Sequence, residues 1–237
     1  MIQFYAPDIL ETKTLPESDS GHCIRVLRMT SGNRVEVVDG KGMRYVCVIV
    51  APNPKHTVVD IESVEKVEPY WPQNLTLAVA PTKMMDRMEW MVEKLTELGV
   101  NRIIPLLCSR SERKEIKTER LVKIAVAAMK QSLQATLPKI DAMTRFDDVA
   151  RGFGGFERFI AYCDESLPRV ELCRSYIPRR DTVIMIGPEG DFAPSEISDA
   201  LQCGWQPVSL GENRLRTETA ALAALHTCHV VDELSGE

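Results

Sequence analysis

Two short stretches near the C-terminus combine residue types that can hold a small molecule and do electrostatic or acid–base chemistry on it. The first reads Ile186-Gly187-Pro188-Glu189-Gly190-Asp191-Phe192, and the second Leu210-Gly211-Glu212-Asn213-Arg214-Leu215-Arg216-Thr217-Glu218-Thr219-Ala220. Each follows a short apolar run, 182–186 and 207–210, with the character of a buried parallel strand, and each runs into a helix. Glycine at both strand ends lets a bound molecule approach the backbone closely. Arg216 and Glu218 put a permanent cation and a carboxylate into one tight turn, and Glu189 adds a carboxylate to the first loop. Parallel α/β sheets bind ligands outside the carboxyl ends of their strands, so two such loops point to one ligand site. The helix dipole alone also favours an acid at position 218, whereas no helix-end argument favours a cation at 216.

The elements that must position these loops alternate strand and helix from about residue 75 onward, the pattern of a parallel sheet flanked by helices. Strands are expected at 75–80, 102–107, 158–163, 183–186 and 208–210. An amphipathic helix at 84–98 carries Met88, Met91, Leu95 and Leu98 inward and closes on Gly99. Arg87, Lys94 and Glu97 share its other face. Thr118 opens a helix expected to run to 135, with Leu121, Ile124, Ala128 and Ser132 inward. Pro194 opens a further helix that Gly204 ends, and the last helix begins at 217 or 218. Residues 1–67 read instead as β-rich: 34–38 and 45–50 flank the hairpin signal Asp39-Gly40-Lys41-Gly42, and 57–67 is a third run. Short strands with turn signals suggest a small barrel, with 22–29 as a helical turn or irregular loop. The segment 68–73, with Pro69 and Pro72, is the linker, giving domains 1–68 and 74–237.

Composition narrows the classes. The 237 residues are 44% hydrophobic, enough for a real core, and no apolar run is long enough to span a membrane. The start lacks the pattern of a secretory signal, so a cytoplasmic protein is expected. Seven cysteines without a CxxC pair read as small apolar residues in a reducing compartment. His226 and His229 have a metal-like spacing, but no further ligand motif completes a set, so no metal is expected. The net charge of −5 argues against indiscriminate nucleic-acid binding. Between 102 and 130, however, eight basic residues face three acidic ones. By charge alone this is equally a solvated helix face or an RNA-facing surface. No G-x-G-x-x-G after a strand and no P-loop is present, which disfavours dinucleotide and nucleoside-triphosphate sites.

The same loops carry a family resemblance. GPEG-x-F followed by LG-x-x-x-LRTETA resembles the RsmE-type methyltransferases of the SPOUT superfamily. The likeness extends over the chain, through Lys94-Leu95-Thr96-Glu97-Leu98-Gly99, Ser109-Arg110-Ser111-Glu112-Arg113, and His22 with Val26-Leu27-Arg28. It implies an α/β SPOUT domain with a trefoil knot, an N-terminal PUA-like β-barrel, and a homodimer. It implies S-adenosylmethionine as cofactor and N3 of a decoding-region uridine in 16S ribosomal RNA, on the small subunit, as target. On that reading Ile186, Gly187, Gly190, Leu210, Gly211, Leu215, Thr217 and Thr219 meet the cofactor. Arg216 stabilises charge on the uracil, and Glu218 or Glu189 accepts its proton. Arg28, Lys94, Arg110, Arg113, Lys123 and Gln131 are the expected RNA contacts.

Two departures from the family pattern stand out. Asp191 occupies a position usually held by glycine, and Gln134 one usually held by arginine. The rival readings are another SPOUT reaction, such as ribose 2′-O-methylation, and a non-catalytic RNA-binding assembly protein.

Overall fold

The computed structural model describes residues 2–163 and 168–236. Contacts divide the chain into two units, Met1–Tyr70 with Val126–Leu137, and Trp71–Ala125 with Pro138–Glu237. This differs from the domains read from the sequence in one respect: 126–137 groups with the N-terminal unit.

The smaller unit is a four-stranded sheet in the order β1 (Gln3–Tyr5), β2 (Arg34–Val38), β3 (Met43–Ala51), β4 (Val58–Lys66). β1 runs parallel to β2, and the remaining pairs are antiparallel. Two short helices, α1 (Ile9–Thr12) and α2 (Glu17–Gly21), follow β1. Between them, Thr14 bridges to Val58 and carries the chain along the edge of β4. Asp39 fixes the β2–β3 hairpin, its Oδ1 accepting from the N–H groups of Lys41 (2.7 Å) and Met43 (3.1 Å). Inward residues such as Phe4, Val35, Val37, Tyr45 and Ile49 form the core. The expected irregular segment after 21 is a π-helix, His22–Val26, which leaves Arg28 exposed at a φ of +54°.

The larger unit holds an eight-stranded sheet in which every pair is parallel. The order is β10 (Val170–Glu171), β12 (Gln206–Ser209), β9 (Glu157–Ala161), β11 (Thr182–Ile186), β5 (Leu75–Val79), β6 (Arg102–Leu107), β7 (Lys139–Ile140), and β8 (Thr144–Arg145) also pairs with β6. β5 and β11 are buried along their whole length, as strands covered on both faces must be. One face packs Ala78, Ile104, Ile160 and Met185 against α5 (Phe146–Ala150) and α7 (Pro194–Gln202). The alternating residues face the other way, where α3 (Met85–Glu97) and α8 (Thr217–Leu234) pack on each other, with α8 also against β5 and β11. The short α6 (Leu172–Ser175) packs against α8. Met88, Met91 and Leu95 of α3 are fully buried, as their spacing predicts.

The helix expected over 118–135, α4 (Thr118–Gln131), stops four residues early. Leu133 takes a φ of +57°, and the N–H groups of Leu133 and Gln134 return to the carbonyls of Lys130 (3.4 Å) and Met129 (3.1 Å). That is a Schellman stop without a glycine, so no residue type marks it in advance. The linker's Trp71 stacks on His229 of α8 at 3.9 Å between ring centroids.

Candidate active site

Both C-terminal loops converge on one cavity of about 1000 Å³ at the carboxyl ends of β9, β11 and β12. β9 lies between β11 and β12, so the loops leaving these three neighbouring strands gather at one end of the sheet. Ile186, Gly187, Leu210, Gly211, Leu215 and Thr217 line it, as do Glu189 and Arg216. Gly190 and Thr219, expected among the ligand contacts, are not part of the lining. The Gly190 carbonyl is taken by Arg110 Nη1 at 2.9 Å, and Thr219 sits one turn into α8 with its side chain exposed.

Several interactions hold the first loop. Thr217 Oγ1 donates to the Gly187 carbonyl at 3.0 Å, tying the start of α8 to the end of β11. Glu196 Oε1 accepts from Ser109 N–H (2.7 Å), and its Oε2 from Ala193 N–H (2.8 Å) at the entry to α7. Phe192 packs on Gly187, where an added Cβ would lie only 3.1 Å from its ring. Gly187 is therefore fixed by the aromatic behind it. Gly211 has a φ of +112°, and among the described residues, its chain neighbours apart, no atom lies within 4 Å of the point where a Cβ would stand. A ligand can reach its backbone from that side.

The three acid–base candidates separate. Arg216 is the residue just before α8, exposed and on the cavity wall. Glu189 also lines the cavity, with Oε1 accepting from the Lys83 N–H at 3.0 Å. Glu218 does not line it: the residue is 7% exposed and pairs with Arg87 Nε of α3 at 3.7 Å. This carboxylate, one of the two expected proton acceptors, is in the first turn of α8 and faces α3. Asp191, at the position where the family pattern has glycine, lines the cavity with a left-handed backbone at a φ of +60°.

The expected RNA contacts are likewise uneven. Arg110 and Arg113 spend their guanidinium groups on backbone carbonyls, those of Gly190 and Phe192 for the first and of Thr82 and Lys83 for the second. Lys94 is held between Glu93 (2.7 Å) and Glu97 (2.8 Å). Arg28, Lys123 and Gln131 are exposed. Sequence reasoning did not single out Tyr162, Cys163, Arg169 or Arg214, all of which line the cavity. No local motif marks the first three; the pairing of β9 beside β11 brings in Tyr162 and Cys163, and that of β10 beside β12 brings in Arg169. Among the described residues no group of three metal-ligating side chains gathers. His229 is buried against Trp71, and burial and the neighbouring His226 push its pKa down to about 4.

A parallel sheet with a large cavity at the carboxyl ends of three neighbouring strands, in one chain with a small β-unit, defines an α/β protein built to hold a small molecule. Comparison with known proteins narrows the class. Residues 69–229 match the family model of the RNA methyltransferase domain, and 15–62 that of the RNA methyltransferase PUA domain. The chain belongs to this RNA methyltransferase family. It is similar to a probable rRNA-methyltransferase from Porphyromonas gingivalis, with 43% identity, a TM-score of 0.96, and coverage of 99% of this chain and 100% of that one. Ribosomal RNA small subunit methyltransferase E of Synechocystis is 31% identical over 90% of this chain and 71% of its own length. The protein of that name from Neisseria gonorrhoeae, solved bound to S-adenosyl methionine, shares 25% identity at a TM-score of 0.84, covering 98% of each chain. The fold expected from the resemblance, an α/β methyltransferase domain with an N-terminal PUA domain, is the one observed.

Proposed function

We propose that this protein methylates N3 of a decoding-region uridine in 16S ribosomal RNA on the small ribosomal subunit, with S-adenosylmethionine as methyl donor. The observation that carries this is the convergence of both glycine loops, Arg216 and Thr217 on one cavity. The cavity is at the upper end of the roughly 300–1,000 Å³ common for ligand sites, which suits a cofactor with a base beside it. Its residues fit a nucleoside with an amino-acid tail: Ile186, Val208, Leu210 and Leu215 supply apolar wall, and the open backbone at Gly211 supplies close approach. The likeness to relatives named as small-subunit rRNA methyltransferases, one of them holding S-adenosyl methionine, supports both substrate and cofactor.

Bound there, the cofactor supplies an electrophilic methyl group on a sulfonium. The chain's own task is to make uracil N3 nucleophilic. Arg216 presents a planar, permanent cation to the negative charge that spreads onto the uracil oxygens as the N3 proton leaves. Glu189, also on the cavity wall, accepts that proton directly or through water. Glu218 acts indirectly, by holding the α8 N-terminus against α3 through Arg87. Exposed Lys123 and Arg28 remain the RNA contacts best placed to meet phosphate.

We extend the proposal to the trefoil threading and the homodimer that the resemblance implies, in the cytoplasm. Sedimentation equilibrium tests the dimer, and a monomer at working concentration would remove it. The function is tested by nucleoside analysis of small-subunit RNA from cells lacking the protein. Loss of 3-methyluridine, restored by the purified enzyme with cofactor, is expected. Loss of a ribose-methylated nucleoside instead would overturn the assignment.

A further inference from the structure

The first peptide group beyond β9 is gripped from both sides by charged side chains. Its carbonyl, on Tyr162, accepts from Arg169 Nη1 at 2.6 Å, and its N–H, on Cys163, donates to Asp191 Oδ2 at 2.9 Å. The Arg169 guanidinium also lies over the Tyr162 ring, 5.8 Å from its centroid. A cation at the oxygen and an anion at the N–H both follow the peptide dipole. Each bond is thus charge-assisted, and the pair adds no net charge to the site.

Asp191 is itself held firmly. Its Oδ1 accepts from the Phe192 N–H at 2.8 Å, and its own N–H donates to the Pro188 carbonyl at 2.9 Å. Its φ of +60° lies in the left-handed region, which aspartate tolerates better than most residues with a side chain. β9 is flanked by β11 and β12, so the gripped peptide lies where the ladder ends, between the two glycine loops. Tyr162, Cys163, Arg169 and Asp191 all line the cavity.

We propose that Asp191 and Arg169 are positioning residues that clamp the Tyr162–Cys163 peptide and so fix the cavity wall in its ligand-accepting shape before the ligand arrives. The ordering cost of that wall is then met in folding and not on binding, which raises affinity without a direct contact. The inference rests on the cofactor reading above, and it assigns neither residue to the reacting atoms.

Two measurements test it separately. In the protein without cofactor, amide hydrogen exchange at Cys163 reads the clamp alone. Asp191→Asn can offer one amide oxygen but not two, so exchange there should quicken by about tenfold or more as local opening becomes easier. An unchanged rate overturns the clamp whatever the ligand is. In the second measurement S-adenosylmethionine is titrated into the parent protein, Asp191→Asn, Arg169→Met and the double variant. Each single change should weaken binding about tenfold, and the double by less than the product, because both act on one peptide. Arg169→Lys keeps a donor and should recover part of the loss. In turnover the cofactor KM should rise while kcat stays within about twofold, whereas a general folding defect would lower kcat with the folded fraction. Parent affinity in both single variants, or a double variant equal to the product, would overturn the proposal. Failure of the parent to bind the cofactor would instead strike the function reading, leaving the clamp to be judged on exchange.

Discussion

Arg216 stands alone among the cavity's cations in its local setting. It is the N-cap residue of α8, with a φ of −73° and a ψ of 155°, and its side chain makes no capping bond. A cation at a helix N-terminus opposes the dipole, so its presence there calls for a functional return. Arg216→Lys keeps the charge but loses the planar fork. Methyl transfer in single turnover should fall by roughly 10²–10³-fold, the usual loss of one preorganised donor, with cofactor affinity little changed. An unchanged rate would remove Arg216 from the catalytic set. His229 makes a different kind of residue-level prediction. Its Nε2 is buried without a hydrogen-bond partner among the described residues, and the ring is stacked on Trp71. With its pKa lowered from 6.5 to about 4 in the fold, the unfolded chain binds the extra proton first as pH falls. Stability from this group is therefore full above pH 6.5, declines below it, and is lost by about pH 4. The loss amounts to about 3 kcal/mol at most. His229→Phe keeps the stack and cannot titrate, so its stability should fall less between those pH values. Denaturant titrations at pH 7 and pH 5 decide this, and equal losses in both proteins would refute the assignment.

At the scale of elements, the two strand-to-helix loops are tied together by side chains, the Thr217 hydroxyl donating to the Gly187 carbonyl at 3.0 Å. Gly211 shows how little side-chain room matters compared with dihedral freedom. Space is open at its Cβ position, yet a φ of +112° lies outside what an L side chain adopts readily. Gly211→Ala should cost about 1–3 kcal/mol in the free protein, seen as a lower Tm, and should weaken cofactor binding as the loop shifts. A variant with the parent's Tm and affinity would mean that the loop tolerates rearrangement and does not define the site. The short helix α4 illustrates the opposite case. Leu133 closes it in a left-handed conformation that its side chain disfavours, and tertiary contacts within the N-terminal unit decide where it ends. Gln3 Nε2 donates to the Gln134 carbonyl at 2.7 Å, and Gly42 N–H to the Ala135 carbonyl at 3.0 Å.

For the molecule as a whole, the proposed RNA binding has to work against a net charge of −5, and the proposal assigns its electrostatics to the basic residues between 102 and 130. Arg110 and Arg113 are partly committed to backbone carbonyls, so replacing them would disturb the cavity as well as the surface. Lys114, Lys117 and Lys123 are exposed and separate the two effects. Changing all three to alanine should weaken RNA binding and reduce the slope of log affinity against log salt by roughly two to three, while cofactor affinity stays at the parent value. A parent slope would make this segment an ordinary solvated face.

Much of this protein is local chemistry and was therefore legible in the sequence. Apolar runs of five residues placed β5 and β11, the period of Met88, Met91 and Leu95 placed α3, and Asp39-Gly40-Lys41-Gly42 placed the hairpin. Glycines at strand ends and the LRTETA run marked the two loops, because a ligand's approach to backbone needs those residues wherever the strands lie. What the sequence left undetermined depends on which strands become neighbours. Tyr162 reaches the cavity because β9 pairs beside β11, 25 residues apart in register between Thr182 and Glu157, and Arg169 because β10, which it precedes, pairs with β12. Glu218 lies off the cavity wall because α3 packs against α8 and offers Arg87. Segment 126–137 joins the N-terminal unit through contacts with residues more than 80 positions away. Periodicity and capping act over one or two turns of chain, whereas the energy of these pairings is realised only once distant segments have been packed together.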